Sequence, residues 1–359
     1  MTHPYAQGEP RQFWGRAMSS VAPGQVDPVT PGLHIAPHER VATLGSCFAQ
    51  HIARHLQRSG CTYHVTEPAP AGMDAAQAQA RQYGLFSARY GNVYTVRQAL
   101  QLFDRAWGRF EPLARAWARG ERWVDPFRPQ VEPEGFASTD EVAAAREAHL
   151  ARVRELFETS EWLVFTLGLT EAWFDRRDGA VFPLAPGVSG GSFDAAEHGF
   201  ANFGIDDVRR DLEALIERVR AVNPGCRWVL TVSPVPLIAT AERRHVWVST
   251  TASKAVLRVA ADEAERRFDH VHYFPSYEVI TSPAAGGRYY ADDLRQVTET
   301  GVQHVMRLFG RHCLASAGAA AAPAAGPDLS LHLQGAAEVV CDEETIARAM
   351  QATAPGGPR

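Results

Sequence analysis

Apolar residues recur along the chain in two rhythms. Short unbroken runs at 41–44, 162–168 ("WLVFTLG"), 227–234 ("RWVLTVSP") and 270–275 ("HVHYFP") read as strands buried on both faces, and 62–65 reads as another. Between them the apolar positions return every three or four residues. Phe48, Ile52 and Leu56 form one such stripe after Cys47, and Val96, Leu100 and Phe103 another within 95–107. An Ala- and Arg-rich helix is predicted over 140–157, with others over 208–222, 253–267 and 297–314. Alternation of strand and helix predicts a doubly wound, three-layer α/β/α domain around a mainly parallel sheet.

Several loops interrupt this order. Segments 68–72 and 123–135 are rich in Pro, Gly and charge, and "PLAPGVSGGSFD" at 183–194 is long enough to line a site. From Ala315 the chain turns into "ASAGAAAAPAAGPD", a low-complexity linker over 315–328, and an amphipathic tail follows over 329–359. Residues 1–314 are therefore expected to form the main domain.

Composition narrows the function. A net charge of -5 in 359 residues gives no basic footprint, so neither nucleic acid nor a membrane surface is an expected partner. No apolar run reaches membrane-spanning length, and the N-terminus lacks the order of a secretory signal, which makes a cytoplasmic location the expectation. The five cysteines are widely spaced and suit neither a disulfide framework nor a zinc site; no metal or cofactor is expected. Lys254 is the single lysine in a chain whose other basic side chains are arginines. This reflects either compositional bias or a site that needs a compact ammonium.

"VATLGSCFAQHIARHL" places Ser46 where the first strand gives way to a helix, at the sheet edge where open α/β folds bind ligands. Such a serine either caps the helix or presents its hydroxyl where the helix N-terminus favours developing negative charge. The next strand end, "FTLGLTEAWF", carries Gly168, Thr170 and Glu171. Thr170 either donates to an oxyanion, with Glu171 orienting a neighbour, or caps a second helix. "TVSPVP" leaves the third strand, "TTASKAVL" brings Ser253 and Lys254, and Asp292 and Asp293 precede the last helix. Polar residues at successive ends of one edge exceed what capping requires.

Gly45-Ser46-Cys47-Phe48-Ala49 spells the signature of the GSCFA family, and the chain resembles that family from "HPYAQGEPRQFW" to about residue 313. "FSARYGNVYT", "DPFRP", "FTLGLTEAW", "SPVP", "SKAVLR" and "YFPSYE" are collinear companions. The family looks like a distant branch of the SGNH/GDSL hydrolase superfamily, flavodoxin-like α/β proteins that include carbohydrate esterases and O-acyltransferases. The resemblance implies Ser46 as nucleophile, Gly91 and Asn92 as oxyanion residues, and Asp293 as the acid of the closing Asp-x-x-His block. Gly168, Thr170 and Glu171 would stand for the Gly-x-Asn-Asp block, with Thr170 in place of the usual Asn.

One position departs from this pattern. Gln296 stands where the histidine belongs, and glutamine is not a base near neutral pH. His304 lies roughly two helical turns further on, and His51 points about 140° away from Ser46 on the same helix. His245 and His198 sit on predicted loops. Cys47 either packs behind the serine or is itself a nucleophile favoured by the helix N-terminus.

The leading expectation is a serine ester hydrolase or O-acyltransferase acting on a small-molecule or glycan ester through acyl-Ser46. The backbone N–H groups of Ser46 and Gly91, with either Asn92 or Thr170, would hold the oxyanion, and a histidine outside the usual block, such as His304 or His245, would serve as base. A degenerate cleft that binds a glycan or protein partner is the alternative that Gln296 favours. A Cys47-dependent acyl enzyme is a third.

Overall fold

The computed structural model describes residues 3–22 and 24–315, together with 342, 344–346 and 349. The linker after Ala315 and most of the tail over 329–359 lie outside the described residues. In chain order the elements are β1 (Val41–Gly45), α1 (Ala49–Arg58), α2 (Ala75–Ala80), α3 (Val96–Ala106), β2 (Trp117–Arg119), β3 (Arg122–Val124), α4 (Thr139–Thr159), β4 (Trp162–Leu167), β5 (Glu171–Asp175), β6 (Val181–Phe182), β7 (His198–Asn202), α5 (Ile205–Val222), β8 (Arg227–Val232), α6 (Val246–Arg267), β9 (Val271–Tyr273), α7 (Ser276–Thr281) and α8 (Glu299–Cys313).

β1, β4, β8 and β9 form a parallel sheet in that order. Side chains alternate across it, so each strand feeds two cores. Ala42, Leu44, Leu163, Phe165, Trp228 and Leu230 pack under α3, α4, α5 and α6. Val41, Trp162, Val164 and Val229 pack under α1, α7 and α8. The expected three-layer α/β/α architecture is the observed one.

The segment over 62–65 contributes only a single parallel bridge, Tyr63 beside Val41. Other groups take the edge of β1 beyond that point. Ser87 Oγ accepts from Thr43 N–H, Tyr90 hydroxyl donates to the Thr43 carbonyl, and Val93 N–H donates to the Gly45 carbonyl. With Tyr63 counted as an edge, the strand order is the flavodoxin-like 2-1-3-4-5, whose crevice opens between β1 and β4.

The chain after Gly168 runs into β5 of a separate antiparallel sheet, ordered β6-β5-β7, so Thr170 caps no helix. The 183–194 loop packs on the β2–β3 hairpin. Its Gly191 lies against Trp117 and donates N–H to Ala118 of the β2–β3 hairpin. Helix α6 begins at Val246, earlier than expected, with His245 as its N-cap.

A buried charge cluster braces the 89–94 and 125–131 loops against α4. Asp125 accepts from Arg128 and Arg146, and Glu67 accepts from His149 Nδ1 at 2.7 Å. Burial keeps His149 neutral, its pKa lowered to about 4. Burial alone would raise Glu67, but His149, Arg128 and the Arg89 N–H hold it at about 2. The pair is a neutral imidazole donating to an ionised carboxylate.

Two stability predictions follow from this architecture. Gly45 has φ +130°, and a Cβ there would lie 2.2 Å from the Thr166 carbonyl oxygen. Gly45→Ala should cost roughly 3 kcal/mol or more in denaturant unfolding. The unfolded chain protonates His149 near its ordinary value of 6.5, the native one only near 4. Stability from this group is therefore complete above pH 6.5 and falls by about 3 kcal/mol as the pH drops to 4. Unfolding curves across that window should flatten in His149→Gln.

Candidate functional site

The site starts from the approach of two strand ends. Gly45 lies opposite Thr166 in the β1–β4 register, and Ser46 N–H donates to the Thr166 carbonyl at 3.1 Å. This bond turns the chain out of the sheet and into the first turn of α1, where Ala49 N–H returns to the Ser46 carbonyl. Ser46 is 3% exposed, and its buried Oγ has no hydrogen-bond partner among the described residues.

Gly168 closes the other side. A Cβ on it would stand 3.0 Å from the Ser46 Cβ and 2.9 Å from the Tyr94 carbonyl, so the corner requires glycine there too. Leu169 N–H donates to that carbonyl at 2.8 Å, joining the 91–94 loop to the end of β4. The loop is held from behind by Gln98, whose side chain donates to the Asn92 carbonyl and accepts from Tyr94 N–H. Gln50 Nε2 reaches Asn92 Oδ1 at 3.4 Å. Gly91 has φ +70°, and its N–H makes no hydrogen bond among the described residues. Ser46, Gly91, Asn92 and Gly168 thus converge on the β1–β4 crevice.

Lys254 joins them from α6. Its side chain is fully buried, and Nζ donates to the Gly168 carbonyl at 2.7 Å. Two residues on in the chain from Gly168, Thr170 N–H donates to Ser253 Oγ at 3.1 Å. The sequence marked Lys254 by its singularity alone. Gln50 and Gln98, the supports of the Asn92 loop, carry no sequence signal that would have found them.

Several candidates are committed elsewhere. Thr170 donates its hydroxyl to Asn202 Oδ1 at 2.8 Å, and the Ser46 N–H is spent on Thr166, so neither offers that hydrogen to an oxyanion. Glu171 accepts from Thr240 and Ala241, orienting the loop after β8, and burial raises its pKa. Asp293 Oδ1 accepts from the N–H groups of Arg295 and Gln296, capping its own tight turn. That turn is fastened to the third strand end by Tyr290 hydroxyl on the Pro234 carbonyl and Arg295 Nε on that of Pro236.

None of the described histidines is hydrogen-bonded to Ser46 Oγ. His304 Nδ1 is bound to the Tyr289 hydroxyl at 2.7 Å, and burial with nearby Arg307 lowers its pKa. His245 is the exposed cap of α6, and His198 lies in β7 between Phe182 and Phe193. His51 packs on Phe48, with its pKa lowered to about 4 by burial and by Arg54. Cys47 is 5% exposed, as a packing residue behind the serine would be. From the tail, Asp342 N–H donates to the Tyr94 hydroxyl at 3.1 Å.

A sequence comparison with curated proteins finds no match. Among solved structures, the chain is similar to a carbohydrate esterase family 3 protein from Talaromyces cellulolyticus at 12% identity and TM-score 0.34, covering 76% of this chain and 95% of that one. It is also similar to a GDSL-like lipase from Parabacteroides merdae at 14% identity and TM-score 0.27, covering 45% of this chain and 66% of that one. The profile that matches over residues 40–309 is that of the GSCFA family, and the region spans every strand of the central sheet and the whole Ser46 corner. This chain belongs to the GSCFA family.

Proposed function

We propose that Ser46 is the nucleophile of an SGNH-type ester hydrolase or O-acyltransferase whose substrates are small acyl esters, acylated glycans among them. The observation that carries this reading is the Ser46 hydroxyl, buried without a partner at the crevice between β1 and β4. Leaving such a group unsatisfied costs about 1–3 kcal/mol, a cost that makes sense where the missing partner is a ligand. Ser46 Oγ would attack the ester carbonyl, forming a new C–O bond as the ester C–O bond breaks. The serine proton passes through a base to the departing alkoxide. Water or an acceptor hydroxyl then attacks acyl-Ser46 and separates hydrolase from transferase. Gly91 N–H and Asn92 are the oxyanion donors in this scheme.

The base in this reading is Lys254. It lies on the carbonyl of Gly168, whose Cα abuts Ser46, while His51, His198, His245 and His304 are engaged elsewhere. Serine–lysine pairs perform acyl transfer on unrelated folds. A second reading, a binding cleft without catalysis, is favoured by Gln296 and by the absence of any base within hydrogen-bond distance of Ser46 among the described residues.

Intact mass after incubation with a fluorophosphonate separates these readings. The wild type should gain one adduct, Ser46→Ala none, and Cys47→Ala one. Lys254→Met should label at least about 100-fold more slowly, with Lys254→Arg no better because a guanidinium stays protonated. Unchanged labelling in Lys254→Met would move the base elsewhere. A folded wild type that takes no adduct would hand the site to the binding reading.

A further inference from the structure

A second polar enclosure lies behind the Asn92 loop, between α3 and the 125–131 segment. It is a cavity of about 20 Å³ whose wall includes Tyr90, Gln98, Arg105, Phe127, Arg128 and His149. That is room for one guest the size of a water molecule or a small ion. Arg105 is 8% exposed, and its guanidinium lies over the Phe127 ring at 3.9 Å. Its side chain makes no hydrogen bond or ion pair among the described residues, and Nε is buried without a partner.

Among the described residues, the carboxylates and side-chain amides around it are already engaged. Asp125 is committed to Arg128, Arg146 and the Phe127 N–H. Glu67 serves His149 and the Arg89 N–H, and Glu132 serves the Arg89 guanidinium. Gln98 and Gln101 have both amide ends occupied, Gln101 by the Gly179 carbonyl and the Val181 N–H. Among the described residues of this cluster the charges do not balance either. Arg89, Arg105, Arg128 and Arg146 face Glu67, Asp125 and Glu132, and His149 is neutral. Burial lowers the pKa of Arg105 to about 9, which leaves it charged at neutral pH. A water in the cavity would satisfy Nε but leave Arg105 to share the single Asp125 charge with Arg128 and Arg146, a costly state for a buried cation.

We propose that this cavity is an anion site in which Arg105 Nε holds one monovalent anion of about chloride size. The anion completes the charge of the cluster and seats the wall that carries Gln98, the brace of the 91–94 loop. This inference is independent of the role of Ser46.

Bromide is the probe. Crystals of the full chain soaked in bromide should show an anomalous peak within hydrogen-bond reach of Arg105 Nε. In solution at fixed ionic strength, replacing gluconate by chloride to about tenfold above its Kd should raise the melting temperature by about 3 °C. Arg105→Met should lose that chloride-specific rise. An ordered water with no bromide peak overturns the proposal, as does a chloride-specific rise that survives in Arg105→Met. Should that variant fail to fold, the wild-type peak decides.

Discussion

The contact on which this fold and its site jointly depend is the approach of the Gly45 backbone to the Thr166 carbonyl. Side chains of a parallel sheet project above and below it, and a Cβ ordinarily fits at every position. Here the end of β1 comes so near to β4 that no Cβ fits, and φ at Gly45 lies where glycine is favoured. The Ser46 N–H bond to Thr166 follows from that approach. It rotates the next residue out of the sheet and fixes where its hydroxyl lies. Gly168 repeats the device one strand over, and the two glycines together let Ser46, the Tyr94 carbonyl and the Lys254 Nζ share a corner.

A corner packed this closely has to be supported by loops, because β1 has almost no strand on its outer side. Its outward backbone groups are met by Ser87, Tyr90 and Val93 in succession. An edge closed by side chains resists pairing with another chain and places irregular backbone beside the strand end. That irregular backbone is the 91–94 loop. The rigidity of the site therefore comes from a buried polar network, with Gln98 on one side and the Glu67, His149 and Asp125 cluster on the other. Such networks hold position well only when fully satisfied.

This explains which parts of the molecule were legible in the sequence. The core strands and amphipathic helices followed from periodicity because burial on a fixed face leaves a periodic trace. The strand at 62–65 did not materialise, since its competitor was a set of side chains 25 to 30 residues further on that no local pattern reveals. β5 was hidden for a related reason: Trp173 and Phe200 meet only after the chain has folded back. At the site, Ser46 and Gly168 were visible because geometry demanded a particular residue type. The carboxylate of Asp293 and the hydroxyl of Thr170 had the right type and sequence position, yet their hydrogen bonds turned out to be local or committed elsewhere.

Buried polar atoms without partners then divide by their surroundings. Ser46 Oγ is neutral, and it lies where three backbone segments converge at a strand end; an uncharged hydroxyl tolerates waiting for a substrate. Arg105 Nε belongs to a charge surrounded by carboxylates already spoken for, and a charge does not tolerate the same neglect. In the proposed reading Ser46 meets a guest that comes and goes, whereas the proposed guest of Arg105 is a resident ion, which is why the two sites, though joined through Gln98, call for different chemistry.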